Sequence, residues 1–320
     1  MHAITGKNVL VTGGTGSFGH HIVNKLLSMN PASVTIVSRD EEKQNAMERE
    51  FEGEPRLKFV LGDVRDYDRM LDVTRGQNII FHAAAIKQVP RCEYHPVEAV
   101  KTNILGAINL KNAAIRNGVS RVVAISTDKA VKPVNVMGMT KAIQERLMVS
   151  DVSDKGMTKF SCVRYGNVVG SRGSVVPFFK ERIEQRKYLP VTHSEMTRFL
   201  LTLDDATDLV FKAAETEDGN IVVKKAPSCR IVDLAEVMIN ELAKGNVEIK
   251  YTGMRPGEKI HEVLVSEEEM MRAKEAGDYY TIYPHGNSFT GTKVREYTSE
   301  NTEKLDHEGV RKLLKRTGWL

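Results

Sequence analysis

The chain is poor in the features that mark several broad protein classes. Its three cysteines, Cys92, Cys162 and Cys229, are odd in number and widely spaced, which excludes a disulfide framework or a paired zinc spacing and leaves reduced thiols as the expectation. No apolar run approaches the roughly 18 residues of a membrane helix. The strand-like "NVLVTGG" begins at Asn8, too early to follow a secretory signal. The nine histidines lack ligand spacing, and the adjacent His20 and His21 point to different faces of a helix, so no metal is expected. The 46 basic and 42 acidic residues are mixed along the chain without a basic arm, which argues against nucleic acid as a partner. These absences describe a soluble, cytoplasmic protein with no membrane and no nucleic-acid partner.

What remains is informative. The net charge of +4 suits small anionic ligands, with nucleotide phosphates foremost. A chain of 320 residues with 41% hydrophobic content buries a main core and a smaller one. The apolar runs "NVLVTG", "SVTIVS", "LKFVLG", "NIIFHAA", "RVVAIS" and "FSCVRYG" alternate with helical segments, the pattern of a doubly wound parallel α/β sheet with helices on both faces. Past Gly166 the pattern loosens, and a helix near Leu203 to Glu215 and the strand "NIVVKK" return to the sheet. The expected division is a dinucleotide-binding Rossmann domain of residues 1–165 plus about 203–225, and a substrate-binding cap of about 166–202 plus 226–320. In that cap, "EYTSENTEKLDHEGVRKLL" reads as a loop and an amphipathic helix capped near Asp306.

"VLVTGGTGSFGHHIVNKL" places Gly13, Gly16 and Gly19 between a strand and a helix, with Thr15, Ser17 and Phe18 in the same turn. That spacing lets the backbone approach a pyrophosphate at the positive end of the helix. The second strand ends at Ser38 and Arg39, with Lys43 one turn on, where an acid would select NAD through the ribose 2'-hydroxyl. Two cations there favour NADP, while Asp40 keeps NAD open. "GDVRD" brings Asp63 and Val64 toward the adenine, and the small Ala83, Ala84 and Ala85 leave room beside the ribose and nicotinamide.

The glycine pattern, "GDVRD", "HAAA", Asn103 in "KTNILG" and "RYGNVVG" resemble the extended short-chain dehydrogenase/reductase superfamily acting on nucleotide sugars. "SRDEEKQ", "STDKAVKPVNVMG", "RYGNVVGSRGSVVPFF", "MTRF" and "RPGEKIHEVLVSEEE" are similar to UDP-N-acetylglucosamine 4,6-dehydratases. The resemblance implies removal of hydride from carbon 4 of a UDP-sugar, loss of water across carbons 5 and 6, and return of the hydride to carbon 6. It implies a homo-oligomer, and the short chain and "DYYTIYP" lean to inversion at carbon 5. One base and one acid are needed. Asp128 and Lys129 follow the fifth strand, at the ligand-binding edge of such a sheet, and the resemblance implies Lys129 as carbon-5 base and Asp128 as acid for the carbon-6 hydroxyl.

The superfamily's helix-borne tyrosine, four residues before a lysine, is missing. Met137 stands there before Lys141, and a thioether cannot ionise. The expectation is that Thr127, with a water in the tyrosine's space, relays the carbon-4 hydroxyl proton toward Asp128 or Lys129, while Lys141 binds the nicotinamide ribose. For substrate, the resemblance implies Asn167, Arg172, Arg198 and Arg255, with the arginines on the diphosphate, Glu258 on the uridine ribose, and Lys87 near the sugar. The competing readings are a retaining dehydratase, a UDP-hexose 4-epimerase, which would leave the Asp128–Lys129 pair without a task, and a silent NADP-binding sensor module, prompted by Met137.

Overall fold

The computed structural model of the protein describes residues 4–150, 156–243, 246–284 and 295–320. The six apolar runs form strands β1 (Asn8–Thr12), β2 (Ser33–Ser38), β3 (Leu57–Leu61), β4 (Ile79–His82), β5 (Arg121–Ile125) and β6 (Lys159–Arg164). They pair in parallel in the order β6-β5-β4-β1-β2-β3. The strand Ile221–Lys224 lies parallel beside β6.

Alternation along each strand sends side chains to opposite faces. Val9 and Val11 join Ile36, Phe81 and Val123 beneath helix α1 (Ser17–Ser28) and helix Leu203–Ala214. Leu10 joins Ile80 and Val122 on the other face, under Tyr67–Thr74 and Gly106–Arg116. With both faces covered, the inner strands read as continuous apolar runs. A separate core around Phe179, Leu189, Leu200, Leu234 and Met238 holds the smaller domain. The C-terminal helix His307–Arg316, capped by Asp306 at Gly309 N, buries Val310, Leu313 and Leu314 in that core.

Segments past residue 226 pack with the main sheet: Leu264, Val265 and Tyr297 lie in its core. The hairpin Ala273–Ala276 and Tyr279–Ile282 pairs antiparallel with Ile221–Lys224 and extends the main sheet to nine strands. Its short alternating strands carry no local signal of which sheet they join, since the pairing is nonlocal.

The buried Arg164 guanidinium at the end of β6 ties these parts together. It donates to Glu145 at 2.8 and 2.6 Å and to Glu269 at 2.9 and 2.7 Å. Glu145 lies on helix Val136–Val149, and Glu269 follows its capping residue Ser266. Burial alone would raise the Glu269 pKa, but Arg164 and Ser266 hold it at about 2. Arg164→Ala would strand two buried carboxylates, and we expect a loss of about 3–5 kcal/mol in stability, read from urea denaturation. A loss below about 1 kcal/mol would mean that water or a rearranged partner replaces the guanidinium.

Candidate active site

The glycine turn after β1 is shaped for close approach. Gly13 has a φ of +69°, and a Cβ there would lie 2.8 Å from Ala84 N. A Cβ on Gly19 would meet Gly13 O and Gly14 Cα at 2.5 Å, so α1 packs directly on the turn. Gly16 caps α1 without a side-chain bond, leaving first-turn N–H groups for an anion. This is a cradle that a Cβ would fill, and the residues fit a dinucleotide. The Thr15 hydroxyl pairs with Ser38 Oγ at 2.9 Å, fixing the turn to the end of β2. Phe18 packs near Tyr165, with ring centroids 6.1 Å apart.

At the tip of β2, Arg39 is exposed, 3.8 Å from Asp63. Lys43 is spent on Asp40, which caps the next helix and binds Lys43 through both its N–H and its ammonium. Asp63 is partly enclosed, which by itself would raise its pKa, yet hydrogen bonds from Arg65 hold it below the ordinary carboxylate value. Val64 is buried against Gly106, whose Cβ would sit 2.6 Å from Val64 Cγ2. Ala83, Ala84 and Ala85 are half-buried at the end of β4, and Ala84 N donates to Thr12 Oγ1 at 3.3 Å.

Asn103, a cofactor-binding candidate by the sequence resemblance, has its side chain engaged within the fold. Fully buried in a π-helical segment, it accepts from Ile86 N at 2.8 Å and donates to Ile86 O and Thr140 Oγ1 at 3.0 Å each. It joins the loop after β4 to helix Val136–Val149.

The candidate proton-transfer groups lie beyond β5. Asp128 is fully buried; its Oδ1 accepts the Thr127 hydroxyl at 2.8 Å and Lys129 Nζ at 3.0 Å. Burial pulls the Lys129 pKa down, but Asp128 and Glu262 together raise it above the ordinary lysine value. Lys141 is the opposite case. Burial lowers its pKa to about 8, although its Nζ donates to Ile125 O and Gln144 Oε1 at 2.6 Å each. Nearby, His82 Nδ1 pairs with Thr12 Oγ1 at 2.8 Å, and burial with the Lys141 charge drops its pKa to about 3, so it is neutral. Met137 is buried with Cys92 and Ala99, packed on Ile86 and Val89.

Two features clamp helix Val136–Val149 onto the Asp128–Lys129 turn. Asn135 caps the helix at Gly138 N, 2.7 Å, and donates to Gly257 O at 2.8 Å. A Cβ on Gly138 would lie 2.2 Å from Lys129 O. The signal for Gly138 was an interior helix glycine in "VMGMTK".

The expected substrate residues separate into two groups. Asn167 is half-buried with Oδ1 unpartnered; Arg255 is exposed beside Glu258, whose Oε2 accepts Arg255 N at 3.1 Å; Lys87 is exposed. These three positions remain open to a ligand. Arg172 instead reaches the cofactor turn, with its N–H on Ser17 Oγ at 3.0 Å and its guanidinium 3.4 Å from Thr15 O. Arg198 is buried and committed to the carbonyls of Thr197, Lys259 and Ile260 at 2.7–3.0 Å, so it is not free for a diphosphate. Besides Asn167 Oδ1, the buried unpartnered atoms here include Ser126 Oγ, Asp128 Oδ2, Glu262 Oε2, His82 Nε2 and Gln144 Nε2. Buried polar atoms without partners are rare in native proteins. Away from this edge, Asp233, Glu236 and His307 cluster, with Asp233 already bound by Arg230 at 2.9 and 2.6 Å.

Gly138→Ala forces the helix off the turn that carries Lys129. We expect turnover to fall by roughly 100-fold with the far-UV circular dichroism retained; turnover within twofold of the parent would mean that the close approach is dispensable.

A family model described as polysaccharide biosynthesis protein matches residues 9–284. A UDP-glucose 4-epimerase of Rickettsia bellii is 44% identical over 328 residues, covering 96% of this chain and 95% of its own. An uncharacterized membrane protein of Methanocaldococcus jannaschii is 43% identical over 323 residues, covering 98% and 97%. Among the described residues here, no helix is long and apolar enough to cross a membrane. The X-ray structure of Pen from Bacillus thuringiensis is 38% identical, with a TM-score of 0.93 over 98% of each chain. A dTDP-glucose 4,6-dehydratase of Streptomyces venezuelae, solved with NAD and TYD bound, has a TM-score of 0.73 at 23% identity over 79% of this chain and 86% of its own, a likeness of fold. The chain thus belongs to the polysaccharide biosynthesis protein family, among the extended short-chain dehydrogenases/reductases that include nucleotide-sugar dehydratases and epimerases.

Proposed function

We propose that this enzyme is a UDP-N-acetylglucosamine 4,6-dehydratase that uses NADP and inverts carbon 5. The observation that carries this reading is the Asp128–Lys129 pair, a buried acid and an amine 3.0 Å apart at the carboxyl edge of the sheet. An epimerase moves hydride at carbon 4 and needs no acid–base pair for carbons 5 and 6; a dehydratase needs both.

When bound, the nicotinamide would accept hydride from carbon 4 and return it to carbon 6. The chain's own groups would move the protons. Lys129 takes the carbon-5 proton, made acidic by the new carbon-4 ketone, and Asp128 gives a proton to the departing carbon-6 hydroxyl, which leaves as water. For carbon 5 to invert, the proton that resets it arrives from the face opposite Lys129, and Lys129 gives its own back to solvent. The protons balance when Lys129 enters the cycle neutral, its proton released to solvent, beside an Asp128 carboxylate 3.0 Å away. The carbon-4 hydroxyl proton passes to Thr127, whose hydroxyl already donates to Asp128. Lys141 and the alanine loop after β4 support the nicotinamide ribose. The glycine turn and Arg172 face the cofactor pyrophosphate, and Arg39 supports NADP as the cofactor because it is exposed at the tip of β2 with only a 3.8 Å contact to Asp63. Asn167, Lys87, Arg255 and Glu258 supply the sugar-nucleotide side.

The names of relatives such as the Rickettsia bellii protein favour a UDP-glucose 4-epimerase as the second reading. Proton NMR of the full-length protein with UDP-N-acetylglucosamine and NADP in deuterated water separates the two. Dehydration gives a new 6-methyl signal with solvent deuterium at carbon 5 and none at carbon 6, which takes the carbon-4 hydride, and the remaining ring couplings report inversion or retention. Epimerisation retains the carbon-6 hydroxymethyl group and changes only the carbon-4 coupling pattern. Equal rates with NAD would remove the cofactor assignment, and no turnover with bound cofactor would leave the silent module. Thr127→Val should cut turnover at least about tenfold; unchanged turnover would sink the relay.

A further inference from the structure

We propose that Glu262 is a positioning residue that governs the proton on Lys129, an inference that rests on the dehydratase reading above. Glu262 arrives at the end of the strap Arg255–Glu262, just before Leu264 and Val265, which pack in the main core. Its backbone is locked: its N–H donates to Ser299 Oγ at 2.9 Å, and its carbonyl accepts from Ser299 N at 2.8 Å. The following strand Val263–Val265 pairs with Tyr297–Thr298. Arg198 holds the carbonyls of Lys259 and Ile260 just before it, and Lys259 reaches Val131 O across the Asp128–Lys129 turn.

The Glu262 side chain is buried, yet it makes no hydrogen bond. Its Oε1 lies 3.7 Å from Lys129 Nζ and 3.6 Å from Arg198 Nε, and its Oε2 is buried without a partner. The charged groups facing Lys129 are Asp128, Glu262, Arg198 and Lys259. Asp128 shares a proton with Lys129 and participates in the exchange itself. Arg198 and Lys259 are cations that favour the neutral amine. Glu262 is the remaining anion, close enough to stabilise an ammonium and too far to take its proton in a direct hydrogen bond.

Such a carboxylate acts at two points. Before the reaction it keeps the proton on Lys129 and so opposes the neutral amine that the chemistry uses. During the reaction Lys129 takes the carbon-5 proton and becomes an ammonium, which the same carboxylate stabilises in a water-poor site. Glu262 therefore exchanges a smaller neutral-lysine fraction for a more favourable proton abstraction. Because it is delivered by the strap, the base reaches its working environment only when that strap is seated on the turn.

The test is the pH dependence of turnover for the full-length, cofactor-loaded protein carrying Glu262→Gln or Glu262→Asp. Glu262→Gln should move the ascending limb, which reports Lys129 losing its proton, to lower pH by on the order of one unit, and should lower the plateau rate. Glu262→Asp keeps the charge and should return the limb toward its parent position. A Gln profile lowered uniformly with the limb unmoved would overturn the proposal and leave Glu262 a packing residue. If the parent protein makes no dehydrated product, the dehydratase reading fails, but the electrostatic claim is still read directly. With lysines labelled at 13Cε and Lys129 assigned through Lys129→Arg, the Lys129 signal should titrate at lower pH in Glu262→Gln than in the parent. Coincident titration in the two proteins would overturn the claim whatever the activity.

Discussion

The contact on which the site depends is the flush seating of helix Val136–Val149 on the turn after β5. No side chain separates Gly138 from the Lys129 carbonyl, because a Cβ would come within 2.2 Å of it. That seating sets the reach of Lys141 to Ile125 O and fixes Met137 against Cys92 and Ala99. It also presents Asn135, which caps the helix on one side and receives the Gly257 strap on the other. The glycine therefore contributes little to the helix itself, where it costs about 1 kcal/mol relative to alanine, and its value lies in the close approach.

Around this contact the chain places its costliest charges. Buried ion pairs rarely add net stability, since desolvation offsets their attraction. Arg164 with Glu145 and Glu269, and Lys129 with Asp128 and Glu262, lie where main-sheet elements meet segments later in the chain. Their geometry fixes register between those parts. The two lysines of the site illustrate how surroundings decide chemistry: both are enclosed, but Lys129 faces two carboxylates and its pKa is raised, whereas Lys141 meets a carbonyl and an amide and its pKa falls to about 8. One is poised to carry a proton on demand; the other sits near the boundary between charged and neutral at ordinary pH.

The sheet was legible because strands buried on both faces leave continuous apolar runs, and the glycine turn because its spacing is imposed by backbone contact. The placement of Asp128 and Lys129 at the edge of the sheet was legible from their position past a strand end. The role of Arg198 was not, because a buried arginine gathering carbonyls and an exposed one awaiting a phosphate are the same letter in the same kind of loop. Arg172 was expected on the substrate, but a chain segment from the second domain folds back onto Thr15 and Ser17, a nonlocal event with no periodic signature. Glu262, in "EKIHEVLV", is one acid among many until its backbone pairing with Ser299 shows which way it must point.

The methionine in the tyrosine's place then acquires a physical reading. Its neighbours Cys92, Ala99, Ile86 and Val89 offer little to a phenolic hydroxyl, and a buried hydroxyl without a partner costs roughly 1–3 kcal/mol; a thioether incurs no such cost. With no acceptor on the helix, the proposed reaction sends the carbon-4 hydroxyl proton to Thr127 as the Thr127 hydroxyl proton moves to Asp128 over 2.8 Å. Asp128 would thereby receive the proton it later gives to the carbon-6 hydroxyl, and a neutral Lys129 would be left to take the carbon-5 proton. Oxidation at carbon 4 would then load the acid for the elimination that follows, linking the two steps through one carboxylate. A tyrosine paired with Lys141 would divert that proton to the helix and leave Asp128 to find another source.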